Sequence, residues 1–344
     1  MKVDGSNKFI TDDKSIMNEL NEIFDNCQRL KKYKICSINK LVDDCSNKII
    51  KAHSISKSAV LKNIATNING KQVLGYFKKT KPIVGLPLFN RIREKYIDIN
   101  SGLTFTGLCK FHDNILFENI DKNPFDLNNP QILFEYTLRN CIYSYYNRLS
   151  NAIGIDKSLK YLKSKNFDLS LIKNPPANTI VSEKNIIFKD LEKLCNNLYS
   201  KDKFNNILYE IIQYKGNINI AGCLYITYKD EACYLTILPG IKMSFVIISA
   251  IKDDNEKTKN SLFHQISSIS IDDIEILISE RLLQATQINS YVFNYDKFQS
   301  LDESTKNEIY DWLDFANNDK IYQENIRYEV LSKIPNFIQI MLDI

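Results

Sequence analysis

The chain has 344 residues, of which 44% are apolar and 25% charged, and its formal net charge is +4. This length allows one large domain or two of ordinary size, and the apolar share suffices for a sizeable core. No apolar run reaches the roughly eighteen residues that a membrane-spanning helix needs, and the polar start lacks a signal-peptide core. We therefore expect a cytoplasmic protein with no membrane partner.

The N-terminal part of the chain alternates short elements with cysteine-containing turns. Apolar residues recur at helical spacing in 12–30, which predicts a first helix. Residues 31–55 favour short strands and turns, and 58–65 favour a single helical turn. Three glycines and two prolines in 66–100 predict a hairpin with loops.

Two helices are predicted next. One begins near Cys109, and the other covers 131–153. The second contains many aromatic residues, which we interpret as core rather than as a base-stacking surface. The sequence "NPPANTI" (174–180) is the clearest linker, so we expect a domain boundary between residues 173 and 174.

The C-terminal half favours an antiparallel sheet with helices. Four strand-like apolar runs are separated by short turns, and "YKDEA" suggests a meander. The predicted strands are 207–215, 218–228, 232–239 and 243–251, and the predicted helices are 186–200, 271–286 and 304–318. The predicted fold class is therefore α+β, with a domain of unknown role over 174–344 that would sense a signal, bind a partner protein or form a homodimer.

Three cysteines and one histidine have the spacing of a metal site. Cys36 and Cys45 form a C-x8-C pair, and Cys109 and His112 form a C-x2-H pair where a loop meets a helix. Two such pairs make a closed Cys3His zinc site of the structural kind. Cys27 is an alternative ligand in place of Cys36 or Cys45. The competing interpretation is that these thiols are simply buried, as we expect for the four later cysteines.

Another histidine, His53, lies between the two cysteine pairs. It admits three interpretations: a further metal ligand, a core histidine, or a general base that deprotonates water in a cleft. A side chain with a pKa near 6.5 suits the last role at neutral pH.

Positive charge is concentrated between residues 48 and 112. This stretch holds twelve Lys and Arg residues against two acidic ones, whereas residues 113–344 carry more acidic than basic side chains. Such a block is typical of a surface that binds nucleic acid, with DNA favoured over RNA, although any single cation also fits a solvated loop. The candidate contact residues are Lys57, Lys78, Lys79, Lys81, Arg91 and Arg93.

The order of these motifs resembles a known family. Two cysteines, then "AHSI" (52–55), a long loop, "TFTGLCKFHD" (104–113) and a helix resemble HNH-type endonucleases, also called His-Me finger or ββα-metal endonucleases. The resemblance covers roughly residues 27–120 and implies a zinc-stabilised ββα-metal module within 1–173. More narrowly, the motifs are similar to those of a group of bacterial hypothetical proteins.

The resemblance also implies roles for individual residues. His53 takes the position of the general base, and Asp113 falls where a histidine that binds the catalytic metal usually stands. A carboxylate there suits Mg²⁺ or Mn²⁺. Asn100 is the nearest match to the asparagine that orients the base. Ala52 replaces an acidic residue that usually precedes the base histidine and often binds the metal.

Two main hypotheses follow for the function. The first is a metal-dependent endonuclease that hydrolyses phosphodiester bonds, by analogy in bacterial defence against phage or mobile elements. The second is a zinc-dependent protein that binds nucleic acid without cleaving it, which the absence of an acidic residue at Ala52 would permit. A third, weaker idea is a structural subunit in which the zinc only holds the fold together.

Overall fold

The structure is a computed structural model. It describes residues 2–3, 9–10, 34–79, 92–123, 125–164, 177–252, 261–284, 290–316 and 334–343. The predicted first helix at 12–30, Cys27, Lys81 and Arg91 lie outside these ranges. Two short strands near the N-terminus, β1 (Lys2–Val3) and β2 (Phe9–Ile10), pair with each other.

A two-stranded antiparallel sheet followed by two short helices forms the cysteine-containing part. Its elements are β3 (Ile49–His53), β7 (Thr104–Cys109), α1 (Lys110–Leu116) and α2 (Glu118–Lys122). The pairing of β3 with β7 places Ile49 opposite Cys109 and His53 opposite Thr104, with an irregularity between Ile50 and Ala52. The two strands are therefore distant in sequence, and residues 54–103 are inserted between them.

Most of the remaining strands join one eight-stranded sheet. In chain order they are β4 (Thr66–Ile68), β5 (Lys71–Lys79), β6 (Ile92–Asp98), β8 (Ile207–Lys215), β10 (Ile220–Tyr228), β11 (Glu231–Leu238), β12 (Met243–Ile251) and β13 (Tyr291–Phe293). The spatial order runs β4-β5-β13-β10-β11-β12-β8, with β6 also paired to β5. The predicted hairpin of 66–100 thus forms part of the large sheet. A separate short pair joins β9 (Asn217–Ile218) to β14 (Leu342–Asp343).

Helices cover both faces of this sheet. One face packs against α3 (Pro130–Ser164) and α4 (Ala177–Asn196), and the other packs against the C-terminal helices. Those helices are α5 (Ser261–Ser267), α6 (Ile271–Gln284), α7 (Tyr295–Gln299), α8 (Glu303–Ala316) and α9 (Phe337–Ile340). Because both faces are covered, the central strands are apolar along most of their length.

The predicted α+β class is confirmed, and several predicted boundaries change. The predicted helix 131–153 continues to Ser164, and α4 begins at Ala177, within the predicted linker. The aromatic residues of α3 that we interpreted as core are largely buried, among them Phe134, Tyr136 and Tyr143. In the part of the chain that the structure covers, no helix combines the length and the apolar character needed to cross a membrane.

Strands from both sides of the predicted domain boundary share the large sheet. Phe293 of β13 pairs with Gly75 of β5, and β13 also pairs with β10. One apolar core contains residues of the β3/β7 pair, of α3 and of the large sheet together. The boundary itself falls within residues 165–176, outside the described ranges, and remains a prediction.

We predict that the contact between β5 and β13 tolerates no side chain at residue 75. A Cβ atom there would overlap the ring of Phe293. Gly75→Ala should therefore lower the free energy of unfolding by about 1–3 kcal/mol, as overpacking of a dense core does. Urea unfolding of the full chain measures this change. The double variant Gly75→Ala with Phe293→Leu should recover part of the loss, and equal stability of Gly75→Ala and the unmodified chain would contradict the close approach.

Candidate metal centre and the adjoining polar cluster

The predicted cysteines and histidine meet in space. The ligand atoms of Cys36, Cys45, Cys109 and His112 all lie within 4.8 Å of one another. All three cysteines are free of disulfides. In a tetrahedral site with metal–sulfur bonds near 2.3 Å, neighbouring ligand atoms stand about 3.5–3.8 Å apart, so only a small contraction would enclose an ion. This cluster could therefore bind a metal ion.

The junction of β7 and α1 positions two of the four ligands. Cys109 is the N-cap of α1, and its sulfur accepts a hydrogen bond from the backbone N–H of His112 at 3.4 Å. The C-x2-H spacing thus places the imidazole of His112 next to Cys109, one turn of helix further on. Backbone pairing of Ile49 with Cys109 then attaches this junction to β3, which follows directly on the segment with the other two ligands.

A tight turn brings the first cysteine pair to the same place. Ser37 donates its backbone N–H to the carbonyl of Gly107 at 2.8 Å, which holds Cys36 against β7. The chain then turns back, and Asp44 and Asn47 take left-handed backbone conformations with φ of 63° and 56° on either side of Cys45. Asp and Asn tolerate this conformation better than most residues, so the long C-x8-C spacing is locally feasible.

The ring of His112 is oriented for metal binding. Its Nε2 lies 2.9 Å from the carbonyl oxygen of Asp43, and its Nδ1 lies 3.2 Å from the sulfur of Cys36. An N–H on Nε2 that donates to this carbonyl leaves the Nδ1 lone pair directed at the thiols. A second hydrogen bond of this kind commonly fixes the tautomer of a metal-bound histidine.

The thiols of the cluster differ in acidity. Burial tends to raise the pKa of Cys109, but hydrogen bonds from the N–H of His112 and from Ser46 outweigh it and lower the pKa to about 6. Burial and the neighbouring thiols of Cys36 and Cys109 raise the pKa of Cys45 to about 11. Since metals bind the thiolate, the lowered pKa of Cys109 favours its metal-binding form, and binding at Cys45 would release a proton.

His53 lies at the end of β3 and is half-buried. Its Nε2 is 3.3 Å from the carbonyl oxygen of Ile99, so an N–H there leaves Nδ1 as the basic nitrogen. Burial lowers the pKa of His53 below 6.5, and the charges of Lys57 and Arg139 act in the same direction. The Ile99 carbonyl and Asp121 oppose this shift. His53 is not one of the four clustered ligands.

A buried arginine binds two carboxylates, of which Asp121 lies near enough to His53 to affect its pKa. The guanidinium of Arg139 contacts Asp121 through both of its terminal nitrogens at 2.8 and 2.9 Å, and Asp113 through one nitrogen at 3.3 Å. The Arg139 side chain is only 1% exposed and lies over the ring of Phe117 at 4.4 Å. Burial raises the pKa of Asp113, and the charge of Arg139 acts against this.

The other predicted site residues fall into two groups: Lys57 and Asn100 contact each other near His53, whereas Lys78, Lys79 and Arg93 lie on β5 and β6 of the large sheet. Asn100 is exposed and contacts Asp98 and Lys57, so the atom that contacts His53 is the carbonyl of neighbouring Ile99 rather than the Asn100 amide. Lys78 is exposed on β5, and Lys79 ends that strand. Arg93 pairs with Asp314 of α8 at 3.3 Å and lies over the ring of Tyr310, which attaches β6 to the C-terminal helices.

Sequence reasoning did not single out Arg139 or assign a role to Asp121. The available signal was the arginine itself, within the stretch "ILFEYTLRNCIYSYY" (132–146), which is rich in apolar and aromatic residues and holds one other charged residue, Glu135. An arginine on the buried side of a helix must find a partner, since burying an unpaired charge is very unfavourable. The pattern therefore predicts a paired arginine, but it does not say with which carboxylates.

The comparisons with known proteins return no relative. No protein-family model, no curated protein and no solved structure matches this chain.

We predict that the cluster binds one metal ion per chain. Cys45→Ala should weaken metal binding at least about tenfold, because even changes in the outer shell of a site have effects of that size. Elemental analysis of the purified protein after dialysis measures the bound metal. Cys195→Ala is the matched control, since this thiol is buried in the core outside the cluster and should leave the metal content unchanged. Equal metal content in both variants would contradict the assignment.

Proposed function

We propose that residues 36–122 form a zinc-stabilised ββα module that hydrolyses phosphodiester bonds in nucleic acid. The observation that carries this proposal is the arrangement around β3, β7 and α1. The metal cluster lies at the β7–α1 junction, while the half-buried His53 lies at the other end of β3, near Asp121 and Arg139. The predicted C-x8-C and C-x2-H pairs thus lie together, and the imidazole of His53 is not part of their cluster.

Zinc is the ion that best suits the cluster. Three cysteine sulfurs and one imidazole nitrogen form a Cys3His set, and Cys36, Cys109 and His112 are almost wholly shielded from solvent. Soft sulfur ligands in a closed tetrahedral arrangement favour zinc and leave no position for a reacting water. We therefore assign this ion a structural role, and the chemistry to His53 and the neighbouring carboxylates.

The chemistry would begin with His53. It would take a proton from the attacking water through Nδ1, while the Ile99 carbonyl holds the opposite nitrogen. Asp113 would be a ligand of Mg²⁺ or Mn²⁺, which supplies charge stabilisation at the phosphate and the leaving oxygen when bound. Mg²⁺ is often held by only one or two carboxylates together with substrate phosphate, and the half-buried Asp113, which receives a single long bond from Arg139, fits a one-carboxylate set.

The surface next to the cluster suits a polyanion. Lys48, Lys51 and Lys110 are all exposed, and the backbones of Lys48 and Lys110 are joined by a 3.0 Å hydrogen bond. Lys57 lies close enough to His53 to affect its pKa. We take DNA as the first substrate to test, with RNA second. A role in bacterial defence, and a sensing, partner-binding or dimerising role for 174–344, remain extensions of the same proposal.

A second candidate is binding of nucleic acid without cleavage. Ala52 is buried at 2% exposure, so the position where the resemblance expects an acidic metal ligand contributes none. Asp113 also contacts Arg139. These two observations favour a module that keeps the zinc and the basic surface but performs no hydrolysis.

We predict that His53→Ala removes cleavage and keeps binding. Loss of a general base should slow hydrolysis by about 10²–10⁴-fold, whereas nucleic-acid affinity should stay the same. Cleavage of plasmid DNA and of RNA with Mg²⁺ or Mn²⁺ is measured beside binding at low salt. His264→Ala, on the exposed side of α5, is the matched control. No cleavage by the unmodified protein with either metal, together with retained binding, would support the second candidate instead.

We also predict an acidic midpoint for the titration of His53. Burial and nearby positive charge favour the neutral ring, so the NMR titration of its imidazole should have a midpoint below pH 6.5. A base of this kind is active when deprotonated, so cleavage should rise with pH and reach half of its plateau at that midpoint. Lys57→Met should move the midpoint upwards, because it removes a positive charge. A midpoint above 6.5 in the unmodified protein would contradict the environment described.

A further inference from the structure

The contacts of Arg139 are unequal. Its two bonds to Asp121 are short and form a fork around one carboxylate, whereas Asp113 receives one longer bond of 3.3 Å. Bidentate pairs of this kind are stronger and more directional than single contacts. The guanidinium is therefore anchored on Asp121, and its hold on Asp113 is the weaker one.

This asymmetry matters for a cation. A guanidinium competes with a metal ion for the same carboxylate oxygens, so an arginine bound mainly to Asp113 would block a cation there. Because Asp121 accepts both short bonds from Arg139, the single longer bond orients Asp113 but neutralises its charge only in part. When ionised, two carboxylates and one guanidinium together carry a net charge of −1, which favours a cation beside them.

The environment keeps the arginine in place. Its side chain is 1% exposed, lies over Phe117 and belongs to the long helix α3. Glu135, one turn earlier on α3, accepts hydrogen bonds from the Asn119 side chain and from the backbone N–H of Ile120. The same helix thus fixes α2, which carries Asp121, and the guanidinium that Asp121 holds.

We propose that Arg139 is a positioning residue that sets the affinity of Asp113 for a divalent cation, and that Asp121 acts by anchoring Arg139. The inference rests on the metal-binding part of the proposed function. It assigns neither residue a direct contact with the reacting atoms. Removing the arginine should strengthen cation binding, and removing its anchor should weaken it.

The test is Mn²⁺ binding to the full, zinc-loaded chain, followed by the EPR signal of free Mn²⁺. Arg139→Gln should lower the dissociation constant about tenfold, because a positive charge beside the ligand oxygen is lost. Asp121→Asn should raise it about tenfold, because the guanidinium then turns to Asp113. Asp113→Asn should abolish the binding and so identify the site.

The double variant separates anchoring from simple charge removal. If Asp121 acts through Arg139, Asp121→Asn should have little effect in the Arg139→Gln background, so the two changes are not additive. Arg139→Lys keeps the charge but cannot form the fork to Asp121, so its dissociation constant for Mn²⁺ should stay above that of Arg139→Gln. Arg148→Gln is the matched control: Arg148 is a partly buried arginine of the same helix, paired with Glu183 at 2.7 Å, and its loss should not change Mn²⁺ affinity.

Each result decides the inference. Additive effects, equal affinities across the variants or no Mn²⁺ binding would overturn it. If Arg139→Gln does not fold, Asp121→Asn still tests the anchor, because the Asp121 side chain is 39% exposed and its replacement should fold; an unchanged dissociation constant in that variant overturns the inference. The expected affinity shifts without any cleavage would retain the inference and contradict hydrolysis. Loss of cleavage in His53→Ala, together with equal Mn²⁺ affinities across the Arg139 and Asp121 variants, would support hydrolysis and contradict the inference.

Discussion

Four ligand atoms from two distant segments meet where β7 ends and α1 begins, and the rest of the candidate site depends on that meeting. Strands β3 and β7 are five and six residues long. Two short strands do not form a stable sheet alone. A metal ion that joined Cys36 and Cys45 to Cys109 and His112 would fix the turn before β3 and the helix after β7 as one unit. The position of His53, at the end of β3, depends on this unit because β3 is part of it.

Helix α3 connects this small unit to the large sheet. On one side, Glu135 and Arg139 hold α2 and its carboxylate Asp121 near His53. On the other side, Thr137 contacts Ser249 at 3.1 Å, and the Asn140 amide donates to the carbonyl of Leu235 at 2.8 Å. These polar residues are all nearly inaccessible to solvent, so each requires its partner. A substitution in α3 should therefore disturb both the polar cluster near His53 and the packing of the large sheet.

The sequence predicted what depends on local pattern and missed what depends on distant pairing. Strands β8 and β12 have the predicted bounds, because both runs are rich in isoleucine and contain aromatic residues, which favour strands. The metal ligands were predictable because C-x8-C and C-x2-H are spacings with a chemical meaning. Nothing local marks the three residues of β13 as the strand that pairs with β5. For the same reason, the partners of Arg139 became visible only once α1, α2 and α3 were placed together.

The pairing of the 66–79 hairpin with β13 also affects the order in which the protein can be completed during synthesis. Thr66 contacts Asn294 across 228 residues of sequence, and Phe293 pairs with Gly75. A ribosome making about 5–20 residues per second needs roughly 10–50 s to bridge that interval. During that time β13, which joins β5 to the C-terminal strands of the large sheet, is not yet present. Strands β3 and β7, which position His53, are therefore synthesised early. The inserted hairpin between them can pair with β13 only near the end of translation.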